Sequence, residues 1–182
     1  MKALLGPLRA AMTVVVAAFA MAAAAQAVSE PAVKAAFVFK FLGYVEFPPQ
    51  AFAADAPYVV GIAGADDVAT ELERIAQGRS VNGRRVTVRR VGEGDSARGV
   101  HVLVVSRGAA NGRELLRQVQ RLPVLTVTDS ARGLEQGSVV NLVTLEDRVG
   151  FEVSLEAAER AGLNVSSRML AVARHVVPKG GP

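Results

Sequence analysis

Residues 139–170, VVNLVTLEDRVGFEVSLEAAERAGLNVSSRML, give the strongest indication of the fold. Residues 139–145 are apolar at five of seven positions and rich in β-branched side chains, which is typical of a strand covered on both faces. Residues 149–155 alternate apolar with other side chains, the period-2 pattern of a half-buried strand. The polar connection from Glu146 to Arg148 is short enough to make the two strands antiparallel neighbours. We therefore predict an antiparallel hairpin here.

Two helices are predicted directly after this hairpin. Ser154 can cap the first helix through its side-chain oxygen, and Gly162 can end it. Ser166 or Ser167 can cap a last helix, which we expect to run to just before Pro178. None of these residues is an obvious catalyst, so the stretch specifies a fold rather than a reaction.

The middle of the chain alternates predicted strands with predicted helices. The helices are expected from Asp66 or Asp67 to Ala76 and over residues 113–121, and the strands over residues 58–63, 85–91, 100–105 and 123–128. Such alternation is typical of parallel strands with helices on both faces. We predict an α/β fold: a three-layer Rossmann-like sandwich of about six mostly parallel strands, ending in the antiparallel hairpin and flanked by about five helices.

The N-terminus has the pattern of a secretory signal peptide. Lys2 and Arg9 precede an almost wholly apolar run over residues 10–25, and small residues at Ala25 and Ala27 suit signal peptidase. An uncleaved membrane anchor is the alternative, since a spanning helix needs about 20 apolar residues. We predict that residues 1–27 are a cleaved signal peptide and that residues 28–182 form one exported domain.

Charge and cysteine content narrow the classes of function. The chain has 21 Lys and Arg against 17 Asp and Glu, a net charge of +4, which falls to +2 without residues 1–27. That bias is too weak to indicate nucleic-acid binding, which usually needs a concentrated basic face. The chain contains no cysteine, which excludes thiol catalysis, cysteine-based metal sites and a disulfide switch.

Residues 29–49 predict an amphipathic first helix that is rich in aromatic side chains. Its apolar positions at 3–4 spacing are Val33, Phe37, Phe41, Tyr44 and Val45. This stripe can simply pack on the sheet. Alternatively, the off-stripe Phe39 with Phe47 and the nearby Phe52 forms an exposed apolar patch that meets a partner. The candidate partner-binding residues are Phe39, Tyr44, Phe47 and Phe52.

The sequence offers no constellation for catalysis. The segment Gly61–Gly64 follows a predicted strand but lacks G-x-G-x-x-G spacing, and Asp66 and Asp67 would repel a pyrophosphate there. A G-x-S-x-G elbow and metal-ligand spacings are missing from the sequence, and His101 at the start of an apolar strand is interpreted as structural. We therefore predict a protein that is not an enzyme and that has no cofactor and no metal.

Two places could still hold a small molecule. Thr126, Thr128, Asp129 and Ser130 cluster at the carboxyl end of a strand, where open α/β sheets bind ligands, but the cluster is equally an ordinary polar turn. Arg168, Arg174 and His175 could together hold a small anion, because Arg presents a planar fork of donors. Arg168 and Arg174 are six residues apart, on different faces of a helix, so their convergence would need other elements. Solvated side chains are the alternative interpretation.

Both ends of the predicted domain are similar to one protein family. Residues 150–170, GFEVSLEAAERAGLNVSSRML, resemble the C-terminal signature of the YfiR-like (HmsC-like) periplasmic regulators, with Ser154 where Asn is commoner. Lys34–Phe37, Phe41, Val45, Glu46 and Pro48 resemble that family's mature N-terminus, with Phe47 in place of the usual Trp. The resemblance covers nearly all of residues 28–182. Some members contain paired cysteines, which this chain lacks.

The resemblance implies a function in signalling. It implies a periplasmic repressor that binds the periplasmic sensor domain of an inner-membrane diguanylate cyclase and so lowers cyclic-di-GMP and biofilm formation. A homodimer through the apolar first helix or the edge hairpin is a further expectation. The alternative is an exported small-molecule-binding sensory module that feeds a histidine kinase or a transporter, with its ligand at the strand ends. An enzyme comes third.

Overall fold

The structure, a computed structural model, describes residues 28–53 and 55–180, so the predicted signal peptide lies outside the described residues. The described part contains five α-helices: α1 Glu30–Phe41, α2 Asp66–Ala76, α3 Gly112–Val119, α4 Leu155–Arg160 and α5 Ser167–Leu170. Its ten strands are β1 Val45–Glu46, β2 Tyr58–Ala63, β3 Ser80–Val81, β4 Arg84–Arg90, β5 Val102–Val105, β6 Leu125–Thr128, β7 Val140–Leu145, β8 Arg148–Ser154, β9 Asn164–Val165 and β10 His175–Val177.

Eight strands form the main sheet, in the order β10-β8-β7-β6-β5-β2-β4-β3. Strands β2, β4, β5, β6 and β7 run parallel, and β8 turns back antiparallel to β7. The predicted mostly parallel α/β sheet with a C-terminal antiparallel hairpin is confirmed. The main sheet has two strands more than the six expected. The sequence did not indicate β3 and β10, at its edges, because strands of two and three residues are too short to show a period-2 pattern. Strands β1 and β9 pair separately as a small antiparallel sheet.

The hairpin turns within two residues. Leu145 pairs with Arg148, so only Glu146 and Asp147 remain in the turn, with φ of 49° and 58°. Positive φ at both central residues is the geometry of a type I′ turn, whose twist matches that of the flanking strands. The predicted connection was one residue too long because Arg148 joins β8.

The sheet is covered on both faces, as a three-layer sandwich requires. Along β5, Val102 and Val104 pack in one core cluster, while Leu103 and Val105 pack in the other. The first cluster holds the buried side chains of α1, α2, α4 and α5, and the second holds those of α3. Phe37 and Phe41 meet Phe151 edge-on, with ring centroids 5.4 and 5.0 Å away, and so fasten α1 to the hairpin.

The predicted caps after the hairpin form, but the last helix is shorter than expected. Ser154 Oγ accepts from the Ala157 amide at 3.1 Å, and Ser166 Oγ accepts from the Met169 amide at 3.3 Å. The prediction of a helix reaching Pro178 was wrong. Helix α5 ends at Leu170, and His175–Val177 instead pairs parallel with β8, where its two β-branched valines are favoured.

The first helix also differs from its prediction at its end. Helix α1 stops at Phe41, and Val45 belongs to β1, where it pairs with Val165. Tyr44 therefore lies in a turn rather than on a helical stripe. The buried face of the helix is Lys34, Ala35, Val38 and Phe41, whereas Val33 and Phe37 are half-buried.

Candidate binding site

The order of the parallel strands reverses between β2 and β5, because the chain places β4 on one side of β2 and β5, β6 and β7 on the other. Open α/β sheets bind ligands at such a switch point. The loops that follow these two strands touch each other. Gly64 has φ of +75°, and a Cβ there would lie 2.3 Å from the Ala109 nitrogen; a Cβ on Gly108 would lie 2.8 Å from the Gly64 oxygen. Only glycine permits this approach. Two clefts open beside the contact, which we call the α1-side cleft and the α3-side cleft.

The α1-side cleft, about 500 Å³ in volume, is dominated by a buried ion pair. The Lys34 Nζ lies 2.8 Å from an Asp129 oxygen and 2.8 Å from a Glu30 oxygen. The side chains of Lys34 and Asp129 are each only 10% exposed. Ser106 Oγ and the Arg107 amide also donate to Asp129, at 3.2 and 2.8 Å. The ion pair thus holds the N-terminal helix over the ends of β5 and β6.

Both members of this pair are ionised at neutral pH. Burial opposes ionisation of Asp129, but the hydrogen bonds from Lys34, the Arg107 amide and Ser106 hold its pKa below the usual value. Burial likewise disfavours the charged form of Lys34, yet Asp129 and Glu30 raise its pKa. Because the ammonium is already neutralised by two carboxylates, it has little attraction left for a bound anion.

The α3-side cleft is about 580 Å³ and basic. It lies between the ends of β5 and β6 and the N-terminus of α3, and three arginines line it: Arg107, Arg113 and Arg117. Glu114 also lines it and is paired with Arg117. The Ser130 hydroxyl oxygen is buried and has no hydrogen-bond partner within the described ranges.

The polar cluster that ends β6 divides into structural and free groups. Thr126 Oγ1 accepts from the Val139 amide at 2.9 Å. Thr128 Oγ1 donates to Asn141 at 2.9 Å and lies 2.9 Å from the Ser138 hydroxyl. Both threonines are therefore satisfied inside the protein, and Asp129 is satisfied by Lys34. Ser130 is the member of the cluster that still offers a hydrogen bond.

The predicted aromatic patch is mostly folded in on itself. Phe52 stacks on the His101 ring with centroids 4.3 Å apart, and Phe47 packs edge-on against Phe52. Phe39, Phe47 and Phe52 are half-buried against the main core, so the expectation that they form an exposed patch needs correction. The physical reason is that Tyr58 and His101, on or next to neighbouring strands, offer rings on which Phe47 and Phe52 bury apolar area. Tyr44 is 39% exposed, and binding of a partner by these four residues stays a prediction.

His101 holds the loop beneath this aromatic group. Its Nδ1 accepts from the Val59 amide at 3.0 Å, and its Nε2 lies 3.2 Å from the Ala51 carbonyl oxygen. This arrangement requires the neutral ring with its proton on Nε2. Burial lowers the pKa of His101, and the nearby Arg84 guanidinium adds to the effect. The geometry agrees with a structural role.

The three C-terminal cationic residues lie on different elements. Arg168 is on α5. Arg174 is in the loop that follows α5, and its side chain lies over Gly150 of β8. His175 begins β10 and pairs with Glu152. All three are exposed. Because α5 ends before Arg174, the helical spacing considered for this set does not apply. Their binding of an anion stays a prediction.

Sequence reasoning missed Lys34, Arg107 and Arg113 as site residues. A signal for Lys34 existed, since it shares the helical spacing of Val38 and Phe41 and a lysine on an apolar face needs a buried partner. The two arginines carried no signal, because only the fold brings their loop and helix together.

Residues 28–53 and 55–180 contain no group of three or more His, Asp or Glu residues arranged to hold a metal ion. Within the same ranges, no helix has the length and apolar character needed to cross a membrane.

The fold and its two strand-end clefts define a Rossmann-like three-layer α/β protein. The chain belongs to the YfiR/HmsC-like family, whose sequence profile matches residues 31–174. No curated protein matches the chain.

A solved structure also resembles the fold. It is that of a conserved domain protein from Vibrio cholerae, with a TM-score of 0.55 and 11% sequence identity. The alignment covers 81% of this chain and 60% of the other, so the chain spans about 60% of the length of that protein. At this identity the likeness concerns the fold alone.

Proposed function

We propose that this protein is a periplasmic regulator that represses an inner-membrane diguanylate cyclase by binding its periplasmic sensor domain. Cyclic-di-GMP and biofilm formation would fall as a result. The observation that carries the proposal is the family match over residues 31–174, since YfiR/HmsC-like proteins are periplasmic regulators of cyclic-di-GMP signalling. The protein acts by binding, without catalysis, as one domain that starts at Val28 after removal of a signal peptide.

Repression by binding sets a quantitative requirement. A bound regulator shifts the cyclase toward its inactive state only by its difference in affinity for the two states. Moving the cyclase from almost fully active to almost fully inactive needs a preference of about 10⁴-fold. The regulator must therefore recognise a surface of the sensor domain that changes between those states.

The contact surface that we propose is centred on Tyr44. The Ser166 amide donates to the Tyr44 carbonyl at 2.9 Å, which ties this turn to the start of α5. Helix α5 is followed by Val172, which is 70% exposed. The half-buried edges of Phe47 and Phe52 flank the same N-terminal segment, and an interface commonly has such an aromatic centre.

Site-specific photocrosslinking in cells tests this surface. A photoreactive phenylalanine analogue replaces Tyr44 in one strain and Leu122, which is also 39% exposed but follows α3, in the other. We expect the label at position 44 to capture an inner-membrane protein with a periplasmic sensor domain and a cyclase domain, identified by mass spectrometry. Equal capture from both positions would contradict the proposed surface.

A second function is favoured by the α3-side cleft. Its three arginines suit an exported small-molecule-binding module that feeds a histidine kinase or a transporter. Capture of a kinase or a transporter subunit, in place of a cyclase, would favour this alternative.

We also propose a homodimer. The hairpin was expected at the sheet edge, but β10 pairs with β8 and is the edge strand of the described sheet instead, so we propose that two copies pair through β10 rather than through the hairpin, with the first helix as the alternative surface. Sedimentation velocity of the wild-type protein and of Val176→Pro tests the pairing. A proline that removes the amide of this strand should convert dimer to monomer.

A further inference from the structure

The α3-side cleft combines three features that suit an anion. The first is its position at the carboxyl ends of β5 and β6, where loops of an open parallel sheet leave room for a ligand. Its volume of about 580 Å³ is within the range of about 300–1,000 Å³ that is typical of small-molecule sites.

The second feature is the positive potential of its walls. Arg107, Arg113 and Arg117 line the cleft together with one carboxylate, Glu114, which is paired with Arg117. The Arg107 guanidinium lies 4.0 Å from an Asp129 oxygen, so Arg113 is the arginine of the three that has no ion pair among the described residues. Helix α3 begins at the cleft with Asn111 as its N-cap, and the Asn111 side chain makes no capping bond to the helix. The Gly112 and Glu114 amides donate to the Ala109 and Asn111 carbonyls. The positive end of the helix dipole still adds its partial charge to that of the arginines.

The third feature is an unsatisfied donor. The Ser130 hydroxyl is buried at the cleft and lacks a partner among the residues that the structure describes. A buried polar group without a hydrogen bond is costly, so such a group commonly marks a ligand or water site. An anionic oxygen seated in the cleft would supply the acceptor that this hydroxyl needs.

We propose that the α3-side cleft binds a small solute through an anionic oxygen group, either a phosphate or a carboxylate. Arg113 pairs with the group from the helix side, Arg107 pairs with it from the loop after β5, and the Ser130 hydroxyl donates to it from below. The site is separate from the Tyr44 surface and from the C-terminal cationic residues, and it stands whether or not the protein represses a cyclase.

Titration followed by amide NMR tests this site, with inorganic phosphate and succinate as the two probes at low ionic strength. We expect saturable shifts of the Gly112, Arg113 and Ser130 amides with at least one probe. Saturation by phosphate alone would assign a phosphate ligand, and saturation by succinate alone would assign a carboxylate ligand.

Variants separate a built site from general charge attraction. Arg113→Gln should weaken binding about tenfold, as expected for loss of a charge-assisted hydrogen bond. Ser130→Ala should also weaken binding while the unfolding temperature stays unchanged, because the hydroxyl has no protein partner to lose. The matched control is Arg121→Gln, which removes the same charge just beyond α3 and should leave binding unchanged. No saturable shift with either probe, or equal weakening by the control, would overturn the proposal.

Discussion

Replacement of Lys34 by methionine tests the role of the buried ion pair. Methionine keeps an unbranched apolar side chain on the buried face of α1 but removes the ammonium, which lies 2.8 Å from an Asp129 oxygen. Asp129 would then be a buried carboxylate held by the Ser106 hydroxyl and the Arg107 amide, with the exposed Arg107 guanidinium 4.0 Å away. Removing one partner of a buried pair generally costs about 3–5 kcal/mol. We expect the lower end, about 3 kcal/mol, because those two donors remain.

Urea unfolding at pH 7 measures the effect. The control is Lys40→Met in the same helix, where the lysine is exposed, and it should change the free energy of unfolding by less than about 0.5 kcal/mol. In the Lys34→Met background, Asp129→Asn should restore part of the loss, since it removes the unpaired charge. A Lys34→Met protein as stable as the Lys40→Met protein would refute the view that this pair fastens α1 to the sheet.

Three further predictions concern the loops and the hairpin. The stability that neutral His101 contributes should be full above about pH 6.5, the usual pKa of histidine, and should fall as the pH drops toward the lower pKa of His101 in the folded protein. The reason is that the unfolded chain binds more protons than the folded protein in this range. Urea unfolding measured against pH should lose this slope in His101→Gln. Gly133→Ala would place a Cβ 2.0 Å from Thr128 Oγ1 and should lower the free energy of unfolding by at least about 2 kcal/mol. The control Gly43→Ala meets only ordinary contacts and should lower it by less than about 1 kcal/mol in the same urea assay. Replacing both residues of the β7–β8 turn by Asn-Gly should raise the unfolding temperature by a few degrees, because that pair favours the type I′ turn.

Each of these three predictions has a result that would contradict it. They are a pH profile identical in wild type and His101→Gln, equal stability of the two alanine variants, and a lower unfolding temperature for the Asn-Gly turn.

The sequence predicted local features of the fold well. The caps at Ser154 and Ser166 and the alternating burial of Phe151 and Val153 depend on neighbours within a few residues, so the pattern alone indicates them. The early end of α1 and the strand β10 depend on pairing with β9 and β8, which are distant in sequence. Short strands of two or three residues carry no periodicity that could reveal them.

The candidate sites were less predictable than the fold. Lys34 and Asp129 are separated by 95 positions, and only the order of the strands brings α1 over the end of β6. The sequence did point to the polar cluster at the end of β6. It could not show that Thr126 and Thr128 bond inward while Ser130 stays unpaired. Those outcomes depend on side-chain packing across the fold.

The most direct test of the proposed function is to measure cyclic-di-GMP in cells that lack the gene. We predict a rise in cyclic-di-GMP that a plasmid copy of the wild-type gene reverses. An unchanged level, in cells shown to express the protein before deletion, would contradict repression of a diguanylate cyclase.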